Sequence, residues 1–227
     1  MRICDLVVLL LAGAEALTTE SEKQAFLATH NELRALHSAP EMRWDVDAAE
    51  FAQNHCDVLR DNDELKHSDS KVRRERGFGE NLYYRWATGS DPRVGVAGRS
   101  VQSWYDEIKL YKYGNPGFSV EAGHFTQVVW SSSVRLGCAI SDKSEGGKLT
   151  VWICCNYSPP GNYLGQFQSN VLPLKEEDDK TKEEAEKKKE KKRCQKERRR
   201  CIRKKIKCIK SRKTKTKKSR CKGCKRC

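Results

Sequence analysis

No run of apolar residues in this 227-residue chain reaches the length of a membrane span. No segment repeats at a solenoid period. No Gly-x-Ser-x-Gly elbow is present to expose a serine nucleophile. The stretch from Lys175 to Cys227 has no aromatic residue, and outside its cysteines little more than Ala185, Ile202, Ile206 and Ile209 is apolar. These absences exclude an internal membrane anchor, a repeat array and a hydrophobic core in the C-terminal quarter. Stacking of nucleic-acid bases on that quarter is excluded too, so specific nucleic-acid recognition is not expected.

What is present is charge, and it is divided unevenly. The chain carries 45 Lys and Arg against 31 Asp and Glu, a net charge of +14. Residues 175–227 hold 27 basic and 9 acidic side chains, whereas residues 1–174 hold 18 and 22. A near-neutral body long enough to bury a core is joined to a strongly cationic tail.

The N-terminus reads as a signal peptide over residues 1–16. Met1-Arg2 is a minimal basic start, Leu6 to Ala12 is a short apolar run, and Ala14-Glu15-Ala16 fits a small-x-small cleavage site. A secreted, extracellular protein follows. Removal of Cys4 leaves ten cysteines, four in the body and six in the tail, two even sets suited to an oxidising compartment.

The body, residues 17–174, opens with helical signals. Ser21 followed by Gln24 suggests a capping box, and Phe26, His30 and Leu33 share one helical stripe. A second helix carries Ala48, Ala49, Ala52, Cys56 and Leu59 inward. Asp61 to Gly79 is charged and irregular, as a loop would be. Asp91-Pro92 would open a third helix with the stripe Val101, Trp104 and Ile108. Val128-Val129-Trp130 and Gly137 to Ile140 read as short strands. Leu149 to Tyr157 is the clearest strand, with bulky groups on both faces as in a covered central strand. Helices first and antiparallel strands later argue for an α+β fold with layered packing.

Four side chains stand out for chemistry: His67, Glu80, Glu107 and His124. Two histidines and two carboxylates can form a hydrogen-bonded tetrad or hold a divalent metal, and the ligand set suits Zn2+. No nucleophile-base constellation accompanies them. Ser68 and Ser103 lie nearby in sequence without an elbow, so hydrolysis is a minor alternative.

The stretches Gly79-Glu80-Asn81-Leu82, Trp104-Tyr105-Asp106-Glu107, Gly123 to Trp130 and Cys155 to Tyr163 resemble, in chain order, the four signature segments of the CAP superfamily. That superfamily holds the cysteine-rich secretory proteins, antigen 5 proteins and pathogenesis-related 1 proteins. His30-Asn31 followed by Arg34 is similar to its first-helix motif, and the resemblance runs from about Ser21 to Pro173. It implies a three-layer α-β-α sandwich (the SCP domain) with His67, Glu80, Glu107 and His124 lining a cleft that binds zinc in some members. It implies no general catalytic reaction. Sterol or fatty-acid binding and channel modulation are among the activities it brings. Related plant-type proteins link the equivalents of Cys138 and Cys155, which leaves Cys56 for Cys154. Asn156-Tyr157-Ser158 is a glycosylation sequon at a strand end and is expected to be unoccupied.

Residues 175–193, almost wholly Lys and Glu, read as a solvated linker, at most transiently helical. Residues 194–227 form a Cys-rich basic tail. Cys194, Cys201 and Cys208 repeat every seven residues, and Cys221, Cys224 and Cys227 every three, so the two ladders can pair antiparallel. An alternative is a reduced version of the toxin-like unit that ends many cysteine-rich secretory proteins, with a venom-like or reproductive channel-modulating role and an ion channel as partner. Arg198, Arg199, Arg200, Arg203, Lys204, Lys205, Lys207, Lys210, Arg212 and Lys213 are the densest charges. They point to heparin-binding, with sulfated glycans or an anionic membrane surface as partner.

Overall fold

The computed structural model describes residues 18–212; the signal segment, Lys213 and the cysteines at 221, 224 and 227 lie outside the described residues. The described chain divides after Pro173 into two units, each treated by itself.

The first unit is built on a four-stranded sheet in the order β1-β3-β4-β2, formed by β1 (Arg43–Trp44), β2 (Gly79–Thr88), β3 (Arg135–Glu145) and β4 (Lys148–Ser158). β4 pairs antiparallel with both β2 and β3, and the short β1 runs parallel to β3. β4 is thus the central strand the sequence suggests. Its alternation separates two cores. Val151, Ile153, Cys155 and Tyr157 enter a large core with Phe26, Val101, Trp104, Phe125 and Trp130. Trp152 and Cys154 enter a smaller one on the other face with Ala52, Cys56 and Leu59 of α2 (Val46–Asn62). Helices α1 (Glu20–Leu36), α4 (Val96–Tyr105), α5 (Gly123–Val129) and the short α6 (Phe167–Asn170) supply the large core. The result is an α+β sandwich of three layers.

Several elements differ from the sequence reading. α1 starts earlier, because Thr19 has Glu22 three residues on: the Glu22 N–H donates to Thr19 Oγ1 at 3.3 Å and the Thr19 N–H to Glu22 at 2.8 Å. Gln24 instead bonds Glu20 inside the helix. The expected loop 61–79 contains α3 (Ser70–Arg76), stopped at both ends by local chemistry. Asp69 Oδ1 accepts from the Lys71 and Val72 N–H groups, and Gly77 takes the left-handed conformation at the C-terminus. α4 begins at Val96 after Gly95, not at Pro92. Val128 and Val129 lie in α5 and not in a strand. Their β-preference yields to burial from every side, both being fully buried in the large core.

Cys138 and Cys155 sit opposite each other in the β3–β4 register and are joined by a disulfide. The expected bond between Cys56 and Cys154 is not formed: both are buried free thiols. Cys56 donates weakly to the Ala139 carbonyl at 3.7 Å, and burial, with the neighbouring Cys56, pushes the Cys154 thiol well up. Asn156 is fully buried, with its amide donating to the Gly79 carbonyl, so its sequon has no room for a glycan.

The second unit is one helix, α7 (Lys175–Arg212). The expected linker and the first part of the tail are therefore continuous. Glu–Lys pairs such as Glu183 with Lys187 at 2.6 Å stabilise its first half. Cys194 and Cys201 are both disulfide-bonded. No described helix is long and apolar enough to cross a membrane.

Candidate functional site

The first residues of β2 organise the site. Glu80 lies there opposite Asn156 of β4, with only 1% of its side chain exposed. Its carboxylate accepts from His67 Nδ1 at 2.8 Å, the Ser68 N–H at 3.0 Å, the Ser68 hydroxyl at 2.8 Å and Arg73 Nη1 at 3.1 Å. Burial alone would raise this carboxyl. The hydrogen bonds from His67 and Ser68 and the Arg73 charge outweigh it and hold the group below its usual value. Glu80 is therefore an ionised acceptor. Arg73 comes from α3, the helix the sequence reading did not resolve.

A second dyad mirrors the first. The Glu107 carboxylate accepts from His124 Nδ1 at 2.7 Å and from the N–H groups of His124 and Phe125 at 3.0 and 3.2 Å. Glu107 thereby caps α5 and fixes the ring of a residue in that same helix. The His124 ring stacks on Trp104 at 6.3 Å, and Trp104 is anchored by its indole N–H to the Leu82 carbonyl. Asn81, the neighbour of Glu80, donates to the His124 carbonyl at 3.1 Å and to the Tyr157 hydroxyl at 3.2 Å. Both dyads are thus attached to consecutive residues at the start of β2.

A carboxylate only accepts, so Nδ1 carries the proton in each imidazole and Nε2 is the nitrogen left to present. His67 is half exposed and His124 one-third exposed. Each glutamate is spent on its own histidine, and no group of three or more His, Cys, Asp and Glu side chains converges as a metal cluster among the described residues. What remains is two oriented imidazoles with carboxylates behind them, the arrangement that orients metal-ligating histidines. As chemistry, two imidazoles that each present Nε2 suit a divalent cation such as zinc.

The dyads are unequal. Arg73 balances Glu80, and Glu107 has no cation among its described partners. The sequence reading missed three residues: Arg73, Asn81, and Ser68 as a partner of Glu80. Ser68 was weighed only as a nucleophile, yet its hydroxyl donates to a carboxylate. Nothing in the spacing marks Arg73, because its reach depends on α3.

Beyond Asn81 and the Tyr157 hydroxyl lies a buried polar column. His30 Nδ1 donates to the Phe26 carbonyl at 2.8 Å, and Nε2 accepts from the Tyr157 hydroxyl at 3.0 Å. Arg34, fully buried, donates to the carbonyls of Pro40, Val128, Trp130 and Ser133. Burial brings its guanidinium down to about 10, so it remains charged at neutral pH and binds α1 to the turn after α5.

A three-layer sandwich of this topology, with two glutamate-oriented histidines tied to the first residues of an edge strand, is an arrangement that can be compared with known proteins. The family model described as "CAP: Cysteine-rich secretory protein family" matches residues 27–157, and the chain belongs to that family. It is 40% identical over 146 residues to protein PRY2 of Saccharomyces cerevisiae, covering 64% of this chain but 39% of the yeast protein. It is 36% identical over 163 residues to pathogenesis-related protein 1 of Arabidopsis thaliana, covering 71% of this chain and 92% of the plant protein. A Candida albicans relative, "Secreted protein RBT4", is 35% identical over 146 residues, 63% of this chain and 36% of its own. Among solved structures, NaASP2 with Zn2+ is similar at a TM-score of 0.54 and 25% identity, over 69% of this chain and 87% of that one.

Proposed function

We propose that this is a secreted, non-catalytic binding protein of the CAP family that its cationic tail tethers to sulfated glycans or another anionic surface. The charge separation carries this reading. From Arg198 to Arg212 there are nine basic residues and no acidic one, whereas the body is slightly acidic. Such a segment concentrates on polyanions through counterion release. Secretion is supported by the leader-like first 16 residues and by the name of the Candida relative. Binding without turnover is supported by the dyads, which orient imidazoles and activate no nucleophile. The test is retention on immobilised heparin: the full chain is expected to be held at moderate salt, and a chain ended after Pro173 is not. Equal retention of both would refute the reading.

At the dyads, Nε2 of His67 and His124 would hold Zn2+, with Glu80 and Glu107 keeping both rings in the required tautomer. NaASP2 supports this choice of ion. A bound zinc would supply a Lewis-acidic centre with positions open to a further ligand. Either His→Ala change is expected to lower zinc uptake measured by calorimetry. Undiminished uptake by the double variant would rule the site out.

One observation favours a sterol or fatty acid as a second ligand. A cavity of about 480 Å³ is lined on one side by Leu110, Tyr111, Pro116 and Phe118 and on the other by Lys112, Asn115, Ser119 and Glu121. A ligand with an apolar body and a polar end matches this mixed lining. Phe118→Ala should then weaken binding of a fluorescent sterol, and an unchanged affinity would remove this reading.

A further inference from the structure

The continuity of α7 decides which of its charges stand together. A linker followed by a separate tail would leave the basic residues as a diffuse cloud. On a helix turning about 100° per residue, Lys192, Lys196, Arg199, Arg203 and Lys207 fall within an arc of about 80°. They climb one face for roughly 22 Å at 1.5 Å per residue. All five are exposed, and Arg200 flanks the row. Glu190 and Glu197 lie on other faces, more than about 100° from the middle of the row. Cys194 and Cys201 point to the opposite side. The row crosses the expected boundary between linker and tail at Cys194. It also leaves out Arg198, which stands about 140° away.

We infer that this face is the docking surface for a sulfated glycan chain lying along the helix axis. The inference rests on the tethering function proposed above and names where and how the polyanion sits. A linear polymer with strong acid groups along its length matches a straight row of cations. Guanidinium groups at Arg199 and Arg203 can engage a sulfate through two N–H groups at once. A bilayer fits less well. An interfacial helix needs an apolar stripe between its basic flanks. Here cations occupy the centre, and Ile202 and Ile206 lie to one side, each close to half exposed. With no aromatic on the row, a nucleic acid would be held by its phosphates alone.

Two full-length variants that lose the same charge separate the face from mere charge density. One changes Lys192→Gln, Lys196→Gln and Arg203→Gln, all on the row. The other changes Lys187→Gln, Lys191→Gln and Arg198→Gln, all on the opposite side. Gln is a good helix former, and circular dichroism checks that both keep the helix. The probe is a heparin oligosaccharide titrated at several salt concentrations. The first variant is expected to bind about tenfold or more weaker, with a shallower dependence on salt as phosphate-like contacts are lost. The second should stay within about threefold of the unmodified chain with its salt slope unchanged. Equal losses in the two variants overturn the face and leave tethering standing. Failure of the unmodified chain to bind heparin overturns tethering and this inference with it. Tighter binding to phosphatidylserine vesicles than to heparin overturns the glycan as occupant.

Discussion

Between the Phe26 carbonyl and the Tyr157 hydroxyl, His30 is fully buried with one tautomer available. Burial, with Arg34 nearby, brings its pKa down to about 3 in the folded protein. The unfolded chain titrates near 6.5, so below that pH it takes up a proton that the folded state refuses. Stability is thus lost as pH falls from about 6.5 toward 3, approaching about 1.4 kcal/mol per pH unit. His37, also lowered by burial, acts in the same direction, and the depressed Glu80 adds its loss at more acid pH. Urea midpoints at pH 7, 5 and 4 should show this decline, and a His30→Gln variant, less stable at pH 7, should show a flatter one. A slope unaffected by that change would mean that His30 is not the group responsible. The sequence revealed that His30 faces inward, since it shares a stripe with Phe26 and Leu33. Its partners were not legible, because Tyr157 is 127 residues away. The same holds for Cys56 and Cys154, which the family resemblance leaves as a pair and the fold buries as thiols. A thiol titration of residues 18–173 is expected to find none in the native state and two after denaturation. None in either state would restore the bond.

At the level of elements, legibility followed periodicity. β4 could be read because its alternation distributes Val151, Ile153 and Tyr157 to one core and Trp152 and Cys154 to the other. α2 could be read because its small inner residues recur at helical spacing. α5 could not, since a run of Val-Val-Trp is strand-like until Glu107 caps the helix from a distance. α3 is too short and polar to carry a periodic signal, yet it brings Arg73 to Glu80. The small residues of α2 have a further use. They let the helix approach β3 so closely that a Cβ added at Gly137 would collide with the backbone of Ala48 and Ala49. Neither neighbour can yield without moving α2 off the sheet. Gly137→Ala is therefore expected to destabilise by about 3 kcal/mol or more, the upper range for overpacking. Gly146→Ala, in the β3–β4 turn at φ 58° with open space around it, should cost only about 1 kcal/mol for the left-handed backbone. Urea denaturation of the two variants measures the contrast, and similar losses would contradict the close approach.

On the scale of the whole molecule, the two units draw stability from different sources. The body holds every residue of both hydrophobic cores, the Cys138–Cys155 disulfide and both His–Glu dyads. α7 has no hydrophobic core of its own, and its described side chains are mostly exposed Lys, Arg and Glu. Beyond the disulfides of Cys194 and Cys201, its helix relies on i,i+4 ion pairs, each worth only about 0.3–0.5 kcal/mol and weakened by salt. The cooperative transition of the protein should therefore be that of the body alone. A chain ended after Pro173 is expected to unfold within a few degrees of the full protein and to take up zinc with the same affinity. In the full chain, helix signal from α7 should decline gradually on heating and with added salt, apart from the cooperative step. Calorimetry and far-ultraviolet circular dichroism read these two behaviours separately. A large drop in the melting temperature of the truncated body, or a change in its zinc affinity, would show that the tail supports the cleft as well as the tether.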